Sequence, residues 1–226
     1  MELTILMPCL NEEANIENSI LAAQQFLSQN KISGEILICD NGSTDNSVLL
    51  ASQHKARIIH EPTPGYGSAL RTGIKEARGK YIIMGDCDTT YDFTNLMPFL
   101  EQLRNGVQLV MGNRFSGGIE KGAMPFSHRY IGVPFLSWLG RLRYKVKITD
   151  FHCGLRGFDA EYAKKLTFTS TGMEFASEII GRFAKAGASI TEVPTTLSVS
   201  KADRKPHLNA IKDGIRHLLF LLKKMD

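Results

Sequence analysis

Short apolar runs alternate with longer segments of helical period through the first half of the chain. Residues 3–9, 35–39, 56–60, 80–84 and 107–111 are rich in Ile, Leu and Val and are bounded by Gly, Pro, Asn or Asp, which predicts five short strands. Between the first two, Ile16, Ile20, Ala23 and Leu27 recur along one helical face. Asn11 is a suitable N-cap for that helix, and Glu12 and Glu13 then fall in its first turn, where the dipole favours anions. Further helices are predicted at about 45–53, 67–78 and 94–104. Strands that are apolar throughout are buried on both faces, so the pattern predicts an α/β fold with a mainly parallel central sheet covered by helices on both sides.

Such sheets bind ligands beyond the carboxyl ends of their strands, and that rule gathers the polar signals. Residues 8–12 follow the first strand, Asp40, Asn41, Gly42, Ser43 and Asp45 the second, residues 62–71 the third, and Asp86 with Asp88 the fourth. Asp40 offers an acceptor to a base or ribose. Gly65 and Gly67 let the backbone approach a ligand closely, and Arg71 reaches for a base edge or a phosphate. Asp86 and Asp88 point to the same side of an extended chain, where two acids repel unless a cation lies between them. Hard oxygen ligands suit magnesium or manganese, and magnesium is commonly held by one or two carboxylates plus substrate phosphates. A dinucleotide fingerprint does not fit. Gly65-x-Gly67 follows the third strand, lacks the third spaced glycine and is not followed by an acid ending the next strand.

Composition narrows the class. With 226 residues, 43% apolar and 22% charged, the chain has an ordinary globular balance and no run of roughly 20 apolar residues. The N-terminus lacks a signal-peptide pattern, so a cytosolic location is expected. Cys9, Cys39, Cys87 and Cys153 are widely spaced, which speaks against a zinc site or a disulfide framework. Charge is informative by position: the last 26 residues hold seven basic side chains against three acids and account for the whole net charge of +4. A second basic stretch, residues 126–147, interleaves Arg129, Arg141, Arg143, Lys145 and Lys147 with Phe126, Tyr130, Phe135 and Trp138 and contains no acid. Both stretches suit an anionic surface or, equally, a solvated helix face.

Eight blocks carry a resemblance. Pro8-Cys9-Leu10-Asn11-Glu12-Glu13, Asp40-Asn41-Gly42-Ser43-Thr44-Asp45, Gly65-Tyr66-Gly67-Ser68-Ala69-Leu70-Arg71-Thr72-Gly73 and Gly85-Asp86-Cys87-Asp88 lead. Met111-Gly112-Asn113-Arg114-Phe115, Asp150-Phe151-His152-Cys153-Gly154-Leu155-Arg156, Gly172-Met173-Glu174-Phe175-Ala176-Ser177-Glu178 and Pro206-His207-Leu208 follow. In this order they resemble family 2 glycosyltransferases of the GT-A fold, in the dolichyl-phosphate mannose and glucose synthase-like branch. The resemblance implies a single GT-A domain over residues 1–226. Residues 1–112 would form the nucleotide-sugar half, and residues 113–226 an acceptor half ending in a basic helical region. It implies a UDP- or GDP-sugar donor held by Pro8, Leu10, Glu12, Asp40, Gly65, Arg71, Asp86, Cys87, Asp88 and Arg114, with Mg2+ or Mn2+ on Asp86 and Asp88. Asp88, Glu174 and Arg156 are the expected catalytic residues. The processive Gln-x-x-Arg-Trp block is absent, since Trp138 is the only tryptophan. Many relatives continue into membrane helices, so this chain is expected either to have been cut before an anchor or to sit peripherally at the cytosolic membrane face.

The acceptor follows from acid–base chemistry. A hydroxyl needs a general base, whereas a phosphate monoester with a second pKa of about 6 is already anionic. A polyprenyl phosphate therefore calls for cations, and Arg156, Lys201, Arg204 and Lys205 are the expected ones, with Arg114 as a further candidate. The partners expected are the nucleotide sugar, the lipid phosphate and an anionic membrane, without nucleic acid. Three alternatives stand beside this reading. Glu174, with Glu178 one turn on, is a base candidate for a sugar or lipid hydroxyl, and Asp150 is a weaker one. A non-catalytic nucleotide- or membrane-binding module would bind without turnover. A nucleotidyltransferase would want a Gly-rich basic loop after the first strand, which residues 8–12 do not supply.

Overall fold

The computed structural model describes residues 1–200 and 210–222. Its first half is a run of parallel crossovers: β1 (Leu3–Cys9), α1 (Ile16–Gln29), β2 (Gly34–Asp40), α2 (Ser47–Gln53), β3 (Arg57–His60), α3 (Tyr66–Glu76) and β4 (Tyr81–Met84). Then come α4 (Met97–Arg104), β5 (Leu109–Asn113), the single turn α5 (Arg114–Gly117), a π-turn at His128–Gly132 and α6 (Val133–Tyr144). The chain continues through β6 (Arg156–Asp159), α7 (Ala160–Lys165), α8 (Phe175–Lys185), β7 (Ile190–Pro194) and α9 (Ala210–Leu222). The seven strands make one sheet in the order β3-β2-β1-β4-β6-β5-β7, and β6 alone runs antiparallel to its neighbours. Helices cover both faces of this mostly parallel α/β sheet, as the apolar runs predict.

Side-chain alternation along the strands builds two cores. Leu3, Ile5 and Met7 of β1, with Ile36 and Ile38 of β2, pack against Ile16, Ile20, Ala23 and Phe26 of α1 and Phe99, Leu100 and Leu103 of α4. Leu6, Leu37, Cys39, Ile82 and Met84 point the other way, against Leu70 and Ile74 of α3 and Ile179, Ile180 and Phe183 of α8. Thr4 is the polar exception on that second face. Its buried hydroxyl donates to Glu35 and accepts from the Arg78 and Gly79 amides, so Thr4 is fully satisfied.

The predicted start of α1 is corrected. Asn11 does not cap it; the helix begins at Ile16, behind Asn15. Asn11 instead takes a left-handed backbone with φ of +55°, one of the residues that tolerates it. The reason is a zipper between two loops. Asn11 Oδ1 accepts from the Thr44 amide, the Asn11 and Glu12 amides donate to the Ser43 and Ser47 hydroxyls, and Glu13 exchanges bonds with Asp45 and Asn46. The amides of residues 11–13 thus donate to the β2–α2 loop and the first residue of α2.

Candidate functional site

The parallel strands β1, β2, β3 and β4 end along one edge. Asp40, the last residue of β2, lies beside Cys9 of β1 and His60 of β3 in register. Its carboxylate accepts from the Ser43 and Gly42 amides at 3.1 and 3.3 Å and meets His60 Nδ1 at 3.1 Å. Burial alone would raise its pKa; the bonds from Ser43, His60 and Gly42 outweigh that and hold the carboxyl below the usual aspartate range. Glu12 is buried on the neighbouring loop and accepts from Asn15 Nδ2 at 3.2 Å. Pro8 and Leu10, half-buried, complete the loop after β1.

Asp86 and Asp88 follow β4. The Tyr66 hydroxyl hydrogen-bonds Asp86, and burial, then the Asp86 charge, push the Tyr66 phenol well above its ordinary pKa. A Cβ at residue 154 would fall 2.6 Å from Asp86 Oδ2, so Gly154 keeps room beside that carboxylate. Asp88 Oδ1 accepts from the Thr90 amide at 3.1 Å and from its hydroxyl at 2.5 Å. Between them Thr89 holds a φ of +64°, a costly backbone for a β-branched residue and the kind of strain that collects at functional sites. Among the described residues no group of three or more His, Cys, Asp or Glu could cage a metal. Two carboxylates with open space beside them fit a hard divalent ion that takes its other ligands from a diphosphate and water. They do not fit an all-protein metal cage.

The 170–172 segment meets this edge at the start of α3. The Ser68 amide donates to the Thr171 carbonyl, and a Cβ on Gly67 would fall 2.6 Å from Ser170 O and 2.9 Å from Gly172 O. Gly65, with φ of +135°, leaves its own Cβ position 2.1 Å from Thr171 O. The close backbone approach predicted at Gly65 and Gly67 is therefore real, but it is made to the chain's own 170–172 segment. Glu174 stands just before α8. Its Oε1 accepts from the Gly172 amide, its Oε2 is buried with no hydrogen-bond partner, and the Arg216 guanidinium of α9 reaches the same glycine.

Several predicted site residues have other occupations. Arg156 is a core residue: burial lowers its pKa, and its guanidinium donates to the carbonyls of Cys153, Ala176 and Phe151 at 2.8, 2.7 and 3.1 Å. It pins residues 151–153 to α8 and offers no open face to a phosphate. Arg114 is buried in a two-pronged pair with Asp150, at 2.7 and 2.8 Å, so neither is a phosphate ligand or a base. Glu178, fully buried, accepts from the Thr169 and Ser170 amides and the Thr169 hydroxyl. Cys87 turns inward, its thiol on the Pro8 carbonyl at 3.2 Å, while the acids on either side remain at the edge. Arg71 donates to the Thr169 carbonyl and lines a separate cavity. Lys201, Arg204, Lys205 and His207 lie outside the described residues. Sequence reading missed the roles of Tyr66, Tyr91, Arg216 and His217. Tyr66 and Tyr91 sit inside or beside the quoted blocks, but which partner a hydroxyl finds is a tertiary matter; Tyr91 takes the Gly154 amide at 2.8 Å.

Comparison with known proteins agrees with this geometry. The family model described as glycosyl transferase family 2 matches residues 4–167. A low-salt glycan biosynthesis hexosyltransferase, Agl6 of Haloferax volcanii, is 36% identical over 221 residues, covering 97% of this chain and 53% of its own, so the present chain spans about half of that relative. A dolichyl-phosphate hexose transferase of the same organism is 28% identical over 194 residues, covering 85% and 81%. Among solved structures, glucosyl-3-phosphoglycerate synthase of Mycobacterium tuberculosis, in complex with Mn2+, UDP and phosphoglyceric acid, superposes with a TM-score of 0.72. That match is 22% identical and covers 98% of this chain and 77% of the synthase, a likeness of fold. An acid pair ending β4, a bonded aspartate ending β2 and a family match running through both place the chain in glycosyl transferase family 2.

Proposed function

We propose that the chain transfers one hexose from a UDP- or GDP-sugar to a polyprenyl phosphate, with Mg2+ or Mn2+ on Asp86 and Asp88. The observation that carries this is the shared edge where Asp40 ends β2 and the Asp86/Asp88 pair follows β4, the two strands that flank β1, one suited to a nucleoside and the other to a metal-bound diphosphate. Asp86 and Asp88 would hold the divalent ion, which when bound would supply stabilisation of the charge left on the departing diphosphate. Asp40 takes the nucleoside, and Tyr66 holds Asp86 in place through its hydrogen bond. The manganese–UDP complex of the fold neighbour and the dolichyl-phosphate relative support the donor and acceptor classes.

The acceptor phosphate is assigned to Lys201, Arg204 and Lys205. Ser200, the residue before them in the sequence, donates its Oγ to the Asp88 carbonyl at 3.0 Å. Arg114 and Arg156 take no direct part, being bound internally. A second acceptor class, a sugar or lipid hydroxyl, draws on one specific observation: the buried, unpartnered Oε2 of Glu174.

The test offers UDP- and GDP-sugars with magnesium or manganese, with and without a short polyprenyl phosphate, and follows nucleotide release and organic-extractable sugar together. Metal-dependent transfer into the organic phase, lost in Asp88→Asn by a factor of about 10²–10³, is the expected result. Glu174→Gln separates the acceptor classes. It leaves lipid-phosphate transfer nearly intact, because that anion needs no base, and lowers hydroxyl transfer by about 10²-fold or more. Nucleotide binding without release under any condition would refute the enzymatic reading.

The same reading places the chain against a membrane. No helix among the described residues is long and apolar enough to cross one. Phe126, Tyr130, Ile131, Phe135, Trp138 and Leu142 are nevertheless exposed over the π-turn and α6, and Ile215, Leu219 and Leu222 over α9, which packs against α6. Rings and aliphatic chains facing outward among Arg129, Arg141 and Arg143 suit the headgroup region of an anionic bilayer.

A further inference from the structure

Beside α3, away from the acid pair, lies a cavity of about 550 Å3 walled by α3, α7 and the segment that follows α7. None of Pro8, Glu12, Asp40, Asp86 or Asp88 lines it. Its volume is that of a small-ligand pocket. Three cations reach it, Arg71 and Lys75 from α3 and Lys164 from α7, against one acid, Glu61. Glu61 is already engaged, one oxygen on the Thr63 amide and the other on the Thr72 hydroxyl. Lys164 gives one hydrogen bond to the Ala77 carbonyl and Arg71 one to the Thr169 carbonyl. Lys75 makes no hydrogen bond or ion pair with a described residue.

Ser68 supplies an independent pointer. It lines the cavity and is only 4% exposed, yet its Oγ has no hydrogen-bond partner. A buried hydroxyl left unpaired is unfavourable, and such groups in native folds generally meet a ligand or an ordered water. Ser68, Arg71 and Lys75 stand at i, i+3 and i+7, a single stripe of α3. The two like charges at i and i+4 repel one another, and an anion between them relieves that repulsion. Phe168 and Leu166, from the segment after α7, add an apolar wall, with Ile74 of α3 beside them.

We infer that this cavity binds a phosphate monoester on a compact hydroxylated body of hexose size. The phosphate lies between Arg71 and Lys75, a hydroxyl of the body pairs with Ser68, and its less polar face rests on Phe168. Such a ligand bridges α3 to the segment whose Thr169 and Ser170 amides are held by Glu178, four residues beyond Glu174. The inference does not depend on the identity of the donor or acceptor at the acid pair.

Calorimetric titration of the full chain with glucose 6-phosphate, alone and with saturating UDP and magnesium, tests it. Saturable binding that persists beside UDP and weakens at least tenfold in Lys75→Glu is expected, with UDP binding by that variant unchanged. Ser68→Ala separates a ligand role from a structural one. It weakens the phosphate ester while leaving thermal stability level or higher, because the hydroxyl it removes has no partner in the fold. Displacement of the ester by UDP and magnesium, indifference to Lys75→Glu, or no saturation at millimolar concentration would each overturn the proposal.

Discussion

Arg114 and Asp150 exchange three hydrogen bonds inside the protein, two from the guanidinium and one from the Arg114 amide. Removing one partner of a buried pair leaves an uncompensated charge, at a cost of about 3–5 kcal/mol. Arg114→Met should therefore lower the unfolding free energy by that much, seen in urea as a lower midpoint at unchanged m-value, and Asp150→Asn added to it should recover part of the loss. His152 gives a second prediction at this scale. Burial first, then the charges of His217, Arg114, Arg156 and His128, holds its imidazole well below the ordinary histidine range. The folded protein thus keeps it neutral while the unfolded chain protonates near pH 6.5. Stability is fully present above that pH and is lost as pH falls toward the folded value, by at most about 1.4 kcal/mol per pH unit. Urea denaturation of wild type and His152→Gln from pH 7.5 to 5 should show the shallower slope in the variant; parallel slopes would mean that His152 titrates alike in both states. Individual charges were the least legible part of the sequence. Arg114 and Arg156 looked like phosphate ligands because their type is visible in a sequence and their burial is not. The carbonyls that occupy Arg156 belong to residues 151, 153 and 176, brought to it only by the fold.

At the scale of elements, α3 is where the first half of the chain meets the 170–172 segment of the second, and its glycines set the distance. Gly67 faces the carbonyls of Ser170 and Gly172 and Cβ of Phe175, all within 3 Å of where its own Cβ would lie. Two of those three obstacles are backbone, so Gly67→Ala must displace the segment leading to Glu174. Overpacking of this kind destabilises by about 1–3 kcal/mol. The expected result is a lower midpoint in thermal denaturation together with a fall in transfer larger than the lost folded fraction explains. Elements β1 through β5 were readable because each is a run of apolar residues between breakers. β6 was not: Arg156–Asp159 reads Arg-Gly-Phe-Asp, with one large apolar side chain, and it becomes a strand by filling the slot between β4 and β5. The early start predicted for α1 failed for a related reason, since the bonds that draw residues 11–13 away from the helix come from residues 43–47.

The largest-scale question is how a chain with no membrane-spanning helix among its described residues would reach the lipid acceptor proposed for it, and α9 links the proposed membrane surface to the site. One side of α9 carries Arg216, beside Gly172 and Glu174, and His217, whose Nδ1 lies 2.9 Å from Ser177 Oγ in α8. Its other side exposes Ile215, Leu219 and Leu222, continuing the apolar surface of α6 with which it packs. Phe135 and Trp138 stand 6.1 Å apart between their ring centroids, and Arg129 lies over the Tyr130 ring. A bilayer contacted by this surface gains apolar burial from the rings and roughly 1 kcal/mol for each nearby basic side chain when the lipid is anionic. Only the second contribution is screened by salt. Sedimentation with vesicles containing phosphatidylserine should therefore show binding that weakens, without vanishing, as salt rises. Phe135→Ser with Trp138→Ser should reduce vesicle binding by about tenfold or more, from partial loss of about 1–2 kcal/mol per ring. Both side chains are about half exposed, 51% and 49%, so the folded state loses little and the thermal midpoint should stay nearly level. Transfer to a short, water-soluble polyprenyl phosphate should survive in the double variant while transfer to the same headgroup embedded in vesicles falls. Equal losses on both acceptors would place these rings in the acceptor pocket itself and not on the membrane.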